Sequence, residues 1–289
     1  MGKQKTHFST FVLAGFRLVR IPNLIILLLT SLMVYLYLVQ PNPEWHALLH
    51  IKIWLLTIAV VFTAAAGYVI NDYYDIKIDY VNKPKRVVVG RIIARRTAII
   101  LHTVLNFIAV VLAILVSWKV CLSVFLSSVL LWYYANSLKR KPLTGNLAVA
   151  FLAGFSVYII GLLREDESVA IILFSVFAFT ISLIREIIKD MEDMKGDLAH
   201  DCKTLPIIIG EQKTKVLLFV LIALFTLMVA VWFYPKNEHL VMYCGVILFP
   251  LIIMMIVGLV IAKNTHQYRR ISRLCKWIML AGVLSMPLF

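Results

Sequence analysis

The chain has 289 residues, of which 62% are hydrophobic and only 15% are charged, and its mean hydropathy is +0.91. A soluble domain is about half apolar and about a quarter charged, so this composition excludes an ordinary soluble, fibrous or disordered protein and indicates an integral membrane protein. The net charge of +14 comes from basic residues spread among the connections. They form no basic patch with interleaved aromatic residues, so nucleic acid is not expected as a partner.

Apolar stretches of the length that crosses a bilayer, about 20 residues, recur along the whole chain. Lysine and arginine are concentrated in every second connection. The N-terminus and the connections after even-numbered stretches contain 25 of them, and the other connections contain 4. The positive-inside rule therefore predicts a cytoplasmic N-terminus and cytoplasmic even-numbered connections. The expected fold is one all-α polytopic domain over residues 1–289 in the cell membrane. Its nine predicted spans are 22–39, 53–71, 97–117, 120–137, 144–163, 168–188, 215–234, 240–262 and 274–289.

Two longer cytoplasmic loops are predicted, over residues 72–96 and 189–214, and they contain nine of the fifteen acidic residues. Each loop carries three aspartates with the spacing D-x2-D-x3-D, which places the three carboxylates on one face of a helix. The repetition indicates a diverged internal duplication with both acidic faces on the same side of the membrane. The trios are Asp72, Asp75 and Asp79, preceded by Asn71, and Asp190, Asp193 and Asp197.

Six clustered carboxylates are costly to bring together unless cations neutralise them. Carboxylate oxygens favour Mg²⁺, or Mn²⁺, over zinc, and magnesium is usually bound by a few carboxylates together with substrate phosphate oxygens. The two trios therefore predict a divalent-metal site for a diphosphate substrate. The alternative of solvated charges that flank membrane helices would explain one trio, but it does not explain two with identical spacing.

Basic residues beside the trios fit the same site, because a leaving diphosphate needs cations that stabilise its developing charge. The alternative role, that of a topology-setting positive residue, applies to most loop lysines and arginines and is the interpretation for Arg269, Arg270 and Arg273. The candidates for the diphosphate are Lys83, Lys85, Arg86, Lys139, Arg140, Arg185 and Lys189.

Polar and aromatic residues at the ends of the predicted spans have two possible roles. Arg20, Asn23 and Asn146 are candidate substrate-binding residues. The two asparagines either line a cavity or cap a helix, and capping is the commoner role of an asparagine at a helix end. Tyr134 either shields a carbocation by cation–π contact or packs at the membrane interface. His102 is expected to be structural.

At these motifs the sequence resembles the UbiA superfamily of intramembrane prenyltransferases. The family patterns N-D-x-x-D-x-x-x-D and D-x-x-D-x-x-x-D match residues 71–79 and 190–197. The blocks RIPN, KPKR…G, SLKRKPLTGN and KTLPIIIG follow in the family order. The resemblance implies nine helices around a central cavity that opens to lipid and is capped by the two cytoplasmic loops.

The resemblance also implies a role for each site residue. It makes Lys139 and Arg86 the residues that hold the diphosphate, and it places Asn23 in the cavity. The implied principal Mg²⁺ residues are Asn71, Asp75, Asp193 and Asp197, with Asp72, Asp79 and Asp190 in support.

The implied reaction is Mg²⁺-dependent transfer of a polyprenyl group, expected to be geranylgeranyl, from its diphosphate to a lipophilic acceptor. Glu186 stands where many members have tyrosine, and this form resembles the branch that makes lipid ethers and chlorophyll. The expected acceptor is geranylgeranylglyceryl phosphate, which would give a diether lipid precursor. An aromatic quinone precursor or a chlorophyll-type acceptor is the alternative. A cation-coupled membrane transporter is the rival from another class, but it predicts charged residues at mid-membrane, whereas these acids lie at span ends.

Overall fold

A computed structural model describes residues 11–40, 42, 44–84, 87–164, 168–233 and 238–289. Within these ranges the regular structure is helical, apart from one isolated bridge between Val89 and Ile93. Nine helices in the described ranges are long and apolar enough to cross a membrane, which confirms the predicted number. They are α1 (Ile21–Val39), α2 (Ile51–Tyr74), α3 (Arg95–Ile114), α4 (Trp118–Asn136), α5 (Thr144–Gly161), α6 (Val169–Ala199), α7 (Glu211–Trp232), α8 (Glu238–Ile261) and α9 (Thr265–Leu288).

The predicted loop at 189–214 is wrong over its first part, because α6 continues without interruption to Ala199. An apolar stripe with helical spacing continues past residue 188 and remains buried, so packing keeps this charged segment helical. The helix has 31 residues and is about 46 Å long, which exceeds the hydrocarbon core of about 30 Å. The stripe consists of Ile184, Ile187, Ile188 and Met191.

The predicted loop at 72–96 is also more ordered than expected. α2 ends at Tyr74, and a short helix, Ile76–Asn82, follows directly. The chain then turns inward, so that Val88 and Val89 are at most 4% exposed. The cluster that buries them also contains Ala14, Leu18, Val69, Ile93 and Ala98.

The chain forms two compact units, the first of Met1–Leu28 with His50–Leu138 and the second of Leu29–Leu49 with Lys139–Phe289. In the first unit, α2 packs against both α3 and α4. At Gly67 the two helices α2 and α4 lie so close that an added Cβ would be 2.9 Å from the side chain of Leu131. His102 has the structural role that the sequence predicted, because its Nδ1 lies 3.0 Å from the carbonyl oxygen of Ala66.

In the second unit, α6 is the central helix and packs against α5, α7 and α9. The contact between α5 and α6 depends on Gly154, because a Cβ at this position would lie 2.6 Å from the carbonyl oxygen of Ser175. α8 packs against α9, and the hydroxyl of Tyr243 donates to the carbonyl oxygen of Ala281 at 2.9 Å.

Large apolar side chains remain exposed along the outward faces of these helices. Phe107 on α3, Trp118 on α4 and Val246 on α8 are each about 70% exposed. Such faces are unfavourable in water and favourable in lipid. Together with the nine apolar helices, they identify an integral membrane protein.

Candidate functional site

Most predicted site residues lie in two groups, one in each unit. The first half-site, at the end of α2, contains Arg20, Asn23, Tyr68, Asn71, Asp72, Asp75 and Asp79. The second half-site, in the C-terminal part of α6 and the beginning of α5, contains Asn146, Arg185, Glu186, Lys189, Asp190, Asp193 and Asp197.

In the first half-site, Asp72 is paired with Arg20, which lies just before α1. The guanidinium Nη2 donates to Asp72 Oδ1 at 2.8 Å. The same guanidinium lies 4.8 Å above the ring of Tyr68, whose hydroxyl is 3.3 Å from Asn23 Nδ2. Arg20 has a left-handed backbone with φ of 56°, a conformation that costs a residue with a side chain about 1–3 kcal/mol. The turn at Arg20 therefore places Arg20 and Asn23 against α2 at a cost in backbone strain.

The contact with Asp72 also keeps Arg20 positively charged. Burial acts to lower the pKa of Arg20, but the carboxylate of Asp72 and the electrostatic influence of Tyr68 raise it above its ordinary value. Arg20 therefore remains a cation and compensates the charge of Asp72.

The other residues of the first trio keep the helical register. Asp75 lies between α2 and the short helix, yet its N–H donates to the Asn71 carbonyl and its carbonyl accepts from the Asp79 N–H, at 3.0 and 2.8 Å. The Asn71 side-chain amide donates to Asp75 Oδ2 at 2.8 Å. The predicted common face of the three aspartates is therefore preserved across the junction.

The second trio lies on the uninterrupted helix α6, so its common face is also preserved. Asn146 Nδ2 donates to Asp190 Oδ2 at 2.8 Å, and Asn146 is 7% exposed. Leu143, the residue before α5, has a left-handed φ of 60°. α5 begins at Thr144, so Leu143 occupies the N-cap position. The expectation that Asn146 caps a helix is wrong, because its amide donates to a carboxylate on the neighbouring helix α6.

Arg185 and Lys189 both bind Glu186 on their own helix. Arg185 Nη1 donates to Glu186 Oε1 at 2.6 Å, and Lys189 Nζ donates to Glu186 Oε2 at 2.8 Å. Glu186 is only 5% exposed. A buried carboxylate needs such partners, because an uncompensated charge away from water is strongly unfavourable.

The sequence analysis missed one ion pair that lies beside the second half-site. Arg269 Nε on α9 donates to Glu192 Oε1 at 2.8 Å, and Glu192 is 7% exposed. The sequence gives Arg269 only a topological role, and the structure adds a contact to it, because the residue joins α9 to α6 beside Asp193. No local signal identifies the pair, since its members are 77 residues apart.

The remaining candidates lie after the short helix, on α4 and in the turn before α5. Lys83 and Tyr134 are partly buried, the first after the short helix and the second on α4. Lys139 lies in a single 3₁₀ turn, Leu138–Arg140, which is anchored by the Arg140 carbonyl accepting from the Lys203 N–H at 2.9 Å. Lys85 and Arg86 lie outside the described residues.

The donor atoms of the two trios are of the type that Mg²⁺ prefers. They are carboxylate oxygens, with the Asn71 amide oxygen beside them, and the trios contain no sulfur or imidazole ligand. In the described part of the chain, no group of three or more His, Cys, Asp or Glu side chains is arranged to hold a metal ion by itself. Magnesium commonly keeps several waters and completes its shell with substrate phosphate oxygens, so the donor set fits it without such a cage.

Comparisons with known proteins place this architecture in a family. The chain is 33% identical over 236 residues to digeranylgeranylglyceryl phosphate synthase of Methanosphaera stadtmanae, covering 81% of this chain and 86% of the relative. A solved structure described as concerning digeranylgeranylglyceryl phosphate synthase in membranes matches with a TM-score of 0.69 at 24% identity, over 97% of this chain and all of the other.

A UbiA homolog from Archaeoglobus fulgidus, solved with GPP and Mg²⁺ bound, matches with a TM-score of 0.65 at 16% identity, over 95% of this chain and 99% of the other. At these identities the two structures show a shared fold. The model of the UbiA prenyltransferase family matches residues 27–279, which include both aspartate trios. The chain therefore belongs to the UbiA prenyltransferase family.

Proposed function

We propose that this protein transfers a geranylgeranyl group from geranylgeranyl diphosphate to the free hydroxyl of geranylgeranylglyceryl phosphate. The bond between donor C1 and its diphosphate oxygen breaks, C1 bonds to the acceptor oxygen, and the hydroxyl proton leaves. The observation that carries the proposal is the 33% identity to a digeranylgeranylglyceryl phosphate synthase across 81% of the chain. Because prenyltransferases are enzymes, family membership removes the support for the transporter alternative.

The two trios are proposed to hold Mg²⁺, with Asn71, Asp75, Asp193 and Asp197 as the principal ligands. Bound Mg²⁺ stabilises the negative charge that develops on a departing diphosphate. Asp72, Asp79 and Asp190 are proposed to support this set.

The contacts around the trios orient the carboxylates before substrate binds. Arg20 holds Asp72, and Asn146 holds Asp190, each at 2.8 Å. Carboxylates that are already oriented need little rearrangement during the reaction, which is the main source of electrostatic catalysis. Arg20 and Asn146 therefore act as positioning residues in this proposal.

Cations outside the trios are proposed to bind the diphosphate itself. Lys139 and Arg86 are the first candidates, and Lys83, Arg185 and Lys189 are further ones. Asn23 and Tyr134 are proposed to contact the substrates, where an aromatic ring would stabilise an allylic cation by cation–π contact.

The helix ends that carry the half-sites are proposed to face the cytoplasm. The support is the distribution of 25 lysines and arginines on one side and 4 on the other, which follows the positive-inside rule. The chain is proposed to act as a single functional domain, and the support is the family match over residues 27–279.

The experiment is transfer of labelled geranylgeranyl diphosphate by the purified protein in detergent, with geranylgeranylglyceryl phosphate and Mg²⁺. Asp75→Asn and Asp193→Asn test one trio each. Asp201→Asn is the matched control, because it makes the same chemical change at an exposed carboxylate and asparagine tolerates the left-handed φ of 54° there.

The expected result is a labelled diether that depends on Mg²⁺, persists in Asp201→Asn and is lost in the other two variants. Diphosphate release without diether would contradict the acceptor and direct the search to aromatic substrates. An enzyme that leaves the donor intact with every divalent ion would contradict the proposed function as a whole.

A further inference from the structure

Glu186 is a buried acid with two cations of its own helix bound to it. Its carboxylate is 5% exposed, with Arg185 at 2.6 Å on one oxygen and Lys189 at 2.8 Å on the other. The side chains of Arg185 and Lys189 are 17% and 27% exposed, so all three charges lie largely away from solvent. Charges in such an environment interact strongly with whichever partner they reach.

Lys189 has two acids within reach along α6. Glu186 precedes it by three residues and Asp193 follows it by four, and both spacings allow an ion pair on a helix. The ammonium lies on Glu186. An ammonium on Asp193 would occupy oxygens that are proposed to bind the metal, and it would lower the affinity of that carboxylate for a second cation.

We infer that Glu186 is a positioning residue that holds Arg185 and Lys189 one turn before the second trio and keeps the Lys189 ammonium off the carboxylate of Asp193. The inference rests on the proposed role of that trio in binding Mg²⁺. If Glu186 loses its charge, Arg185 and Lys189 both lose this carboxylate. Asp193 is then the acid that Lys189 reaches at the i,i+4 spacing on α6.

A purely structural role for Glu186 makes a different prediction. Glu192 is a second buried glutamate on the same helix, and it also binds a cation, Arg269, at 2.8 Å. Loss of either charge is expected to lower thermal stability, because each leaves a cation uncompensated. Only loss of the Glu186 charge is expected to affect metal binding.

The experiment measures Mn²⁺ binding to the purified full chain by the electron paramagnetic resonance signal of free Mn²⁺, with no substrate present. The variants are Glu186→Gln, Glu186→Gln with Lys189→Gln, Lys189→Gln alone, and Glu192→Gln as the matched control. Thermal unfolding without metal is recorded for each variant, so that stability and metal affinity are separated.

Glu186→Gln is expected to bind Mn²⁺ roughly tenfold more weakly than wild type, which is the effect of one charged hydrogen bond. The double variant is expected to recover most of this loss, and Lys189→Gln alone is expected to bind at least as tightly as wild type. Glu192→Gln is expected to stay within about twofold of wild type while unfolding at a lower temperature.

Unchanged Mn²⁺ affinity in Glu186→Gln, or no recovery in the double variant, would overturn the inference while leaving the proposed function intact. If Glu186→Gln does not fold, weaker Mn²⁺ binding by Lys189→Gln alone would overturn it. A wild-type chain that binds no Mn²⁺ and transfers no prenyl group would instead contradict the proposed function, and the inference with it.

Discussion

The two half-sites share the spacing of their aspartates but differ in what compensates them. Asp72 is held by the charged guanidinium of Arg20, which is 52 residues away in sequence. Asp190 is held by the neutral amide of Asn146, 44 residues away. In the second half-site the nearby cations, Arg185 and Lys189, come from the same helix and bind Glu186.

The difference shows that the repeated aspartate spacing has been kept while its surroundings have diverged. An arginine from another segment neutralises one carboxylate of the first trio, so part of its charge is removed within the protein. An amide adds no positive charge beside Asp190, and the two nearby cations, Arg185 and Lys189, bind Glu186. The second trio is therefore expected to depend more on bound metal for its charge balance.

The largest loss of activity is expected from variants that remove one proposed metal ligand from each half-site in turn. Asp75→Asn and Asp193→Asn are each expected to lower the turnover of geranylgeranyl diphosphate by about 10²-fold or more, since each removes charge that stabilises the metal and the leaving group. The measurement is kcat at saturating Mg²⁺. Full activity in either variant would show that only one half-site is used and would contradict the proposal that both trios bind metal.

The next prediction concerns the loss of thermal stability when a glycine at a close helix contact is replaced in each unit. Gly154→Ala is expected to lower the unfolding temperature by about 5 °C, because the added Cβ would meet a backbone carbonyl at 2.6 Å that cannot move alone. Gly67→Ala is expected to cost less, because its obstacle is the flexible end of Leu131. Thermal unfolding in detergent measures both, and equal losses would contradict the distinction.

A smaller difference in stability is expected between loss of the charged Arg20–Asp72 contact and loss of the neutral Asn146–Asp190 contact. Asp72→Asn leaves Arg20 without its counterion, and we expect a loss of about 1 kcal/mol, discounted because Arg20 is 36% exposed. Asp190→Asn keeps a possible amide–amide hydrogen bond with Asn146, so its unfolding temperature is expected to change less. Thermal unfolding without divalent ions measures the difference, and the reverse order would show that the amide contact is the more stabilising one.

The smallest expected effect on activity concerns the ion pair between Arg269 and Glu192. Arg269→Gln is expected to lower the unfolding temperature by a few degrees, because Glu192 is buried, while kcat stays within about twofold of wild type. The prenyl transfer assay and thermal unfolding measure the two quantities. A large loss of kcat with unchanged stability would place Arg269 in the second half-site itself.

Much of this architecture could be predicted because it depends on local composition. The nine helices follow from apolar length, and the common face of each trio follows from spacing along a helix. The same local approach failed at residues 189–199, where a charged segment was assigned to a loop. The buried stripe that includes Ile188 and Met191 keeps this segment helical, and burial depends on neighbouring helices that the segment itself does not specify.

The membrane class, the number of spans and the donor chemistry of the trios follow from the amino-acid sequence, since hydropathy and helical period depend on nearby residues. The partner of each carboxylate depends on tertiary packing, because Arg20 with Asp72 and Asn146 with Asp190 are brought together from distant segments. Tertiary packing also determines which of two acids Lys189 binds, since Glu186 and Asp193 both lie at a suitable spacing on the helix. Burial and packing determine which of these pairs forms, and neither quantity exists until the helices assemble.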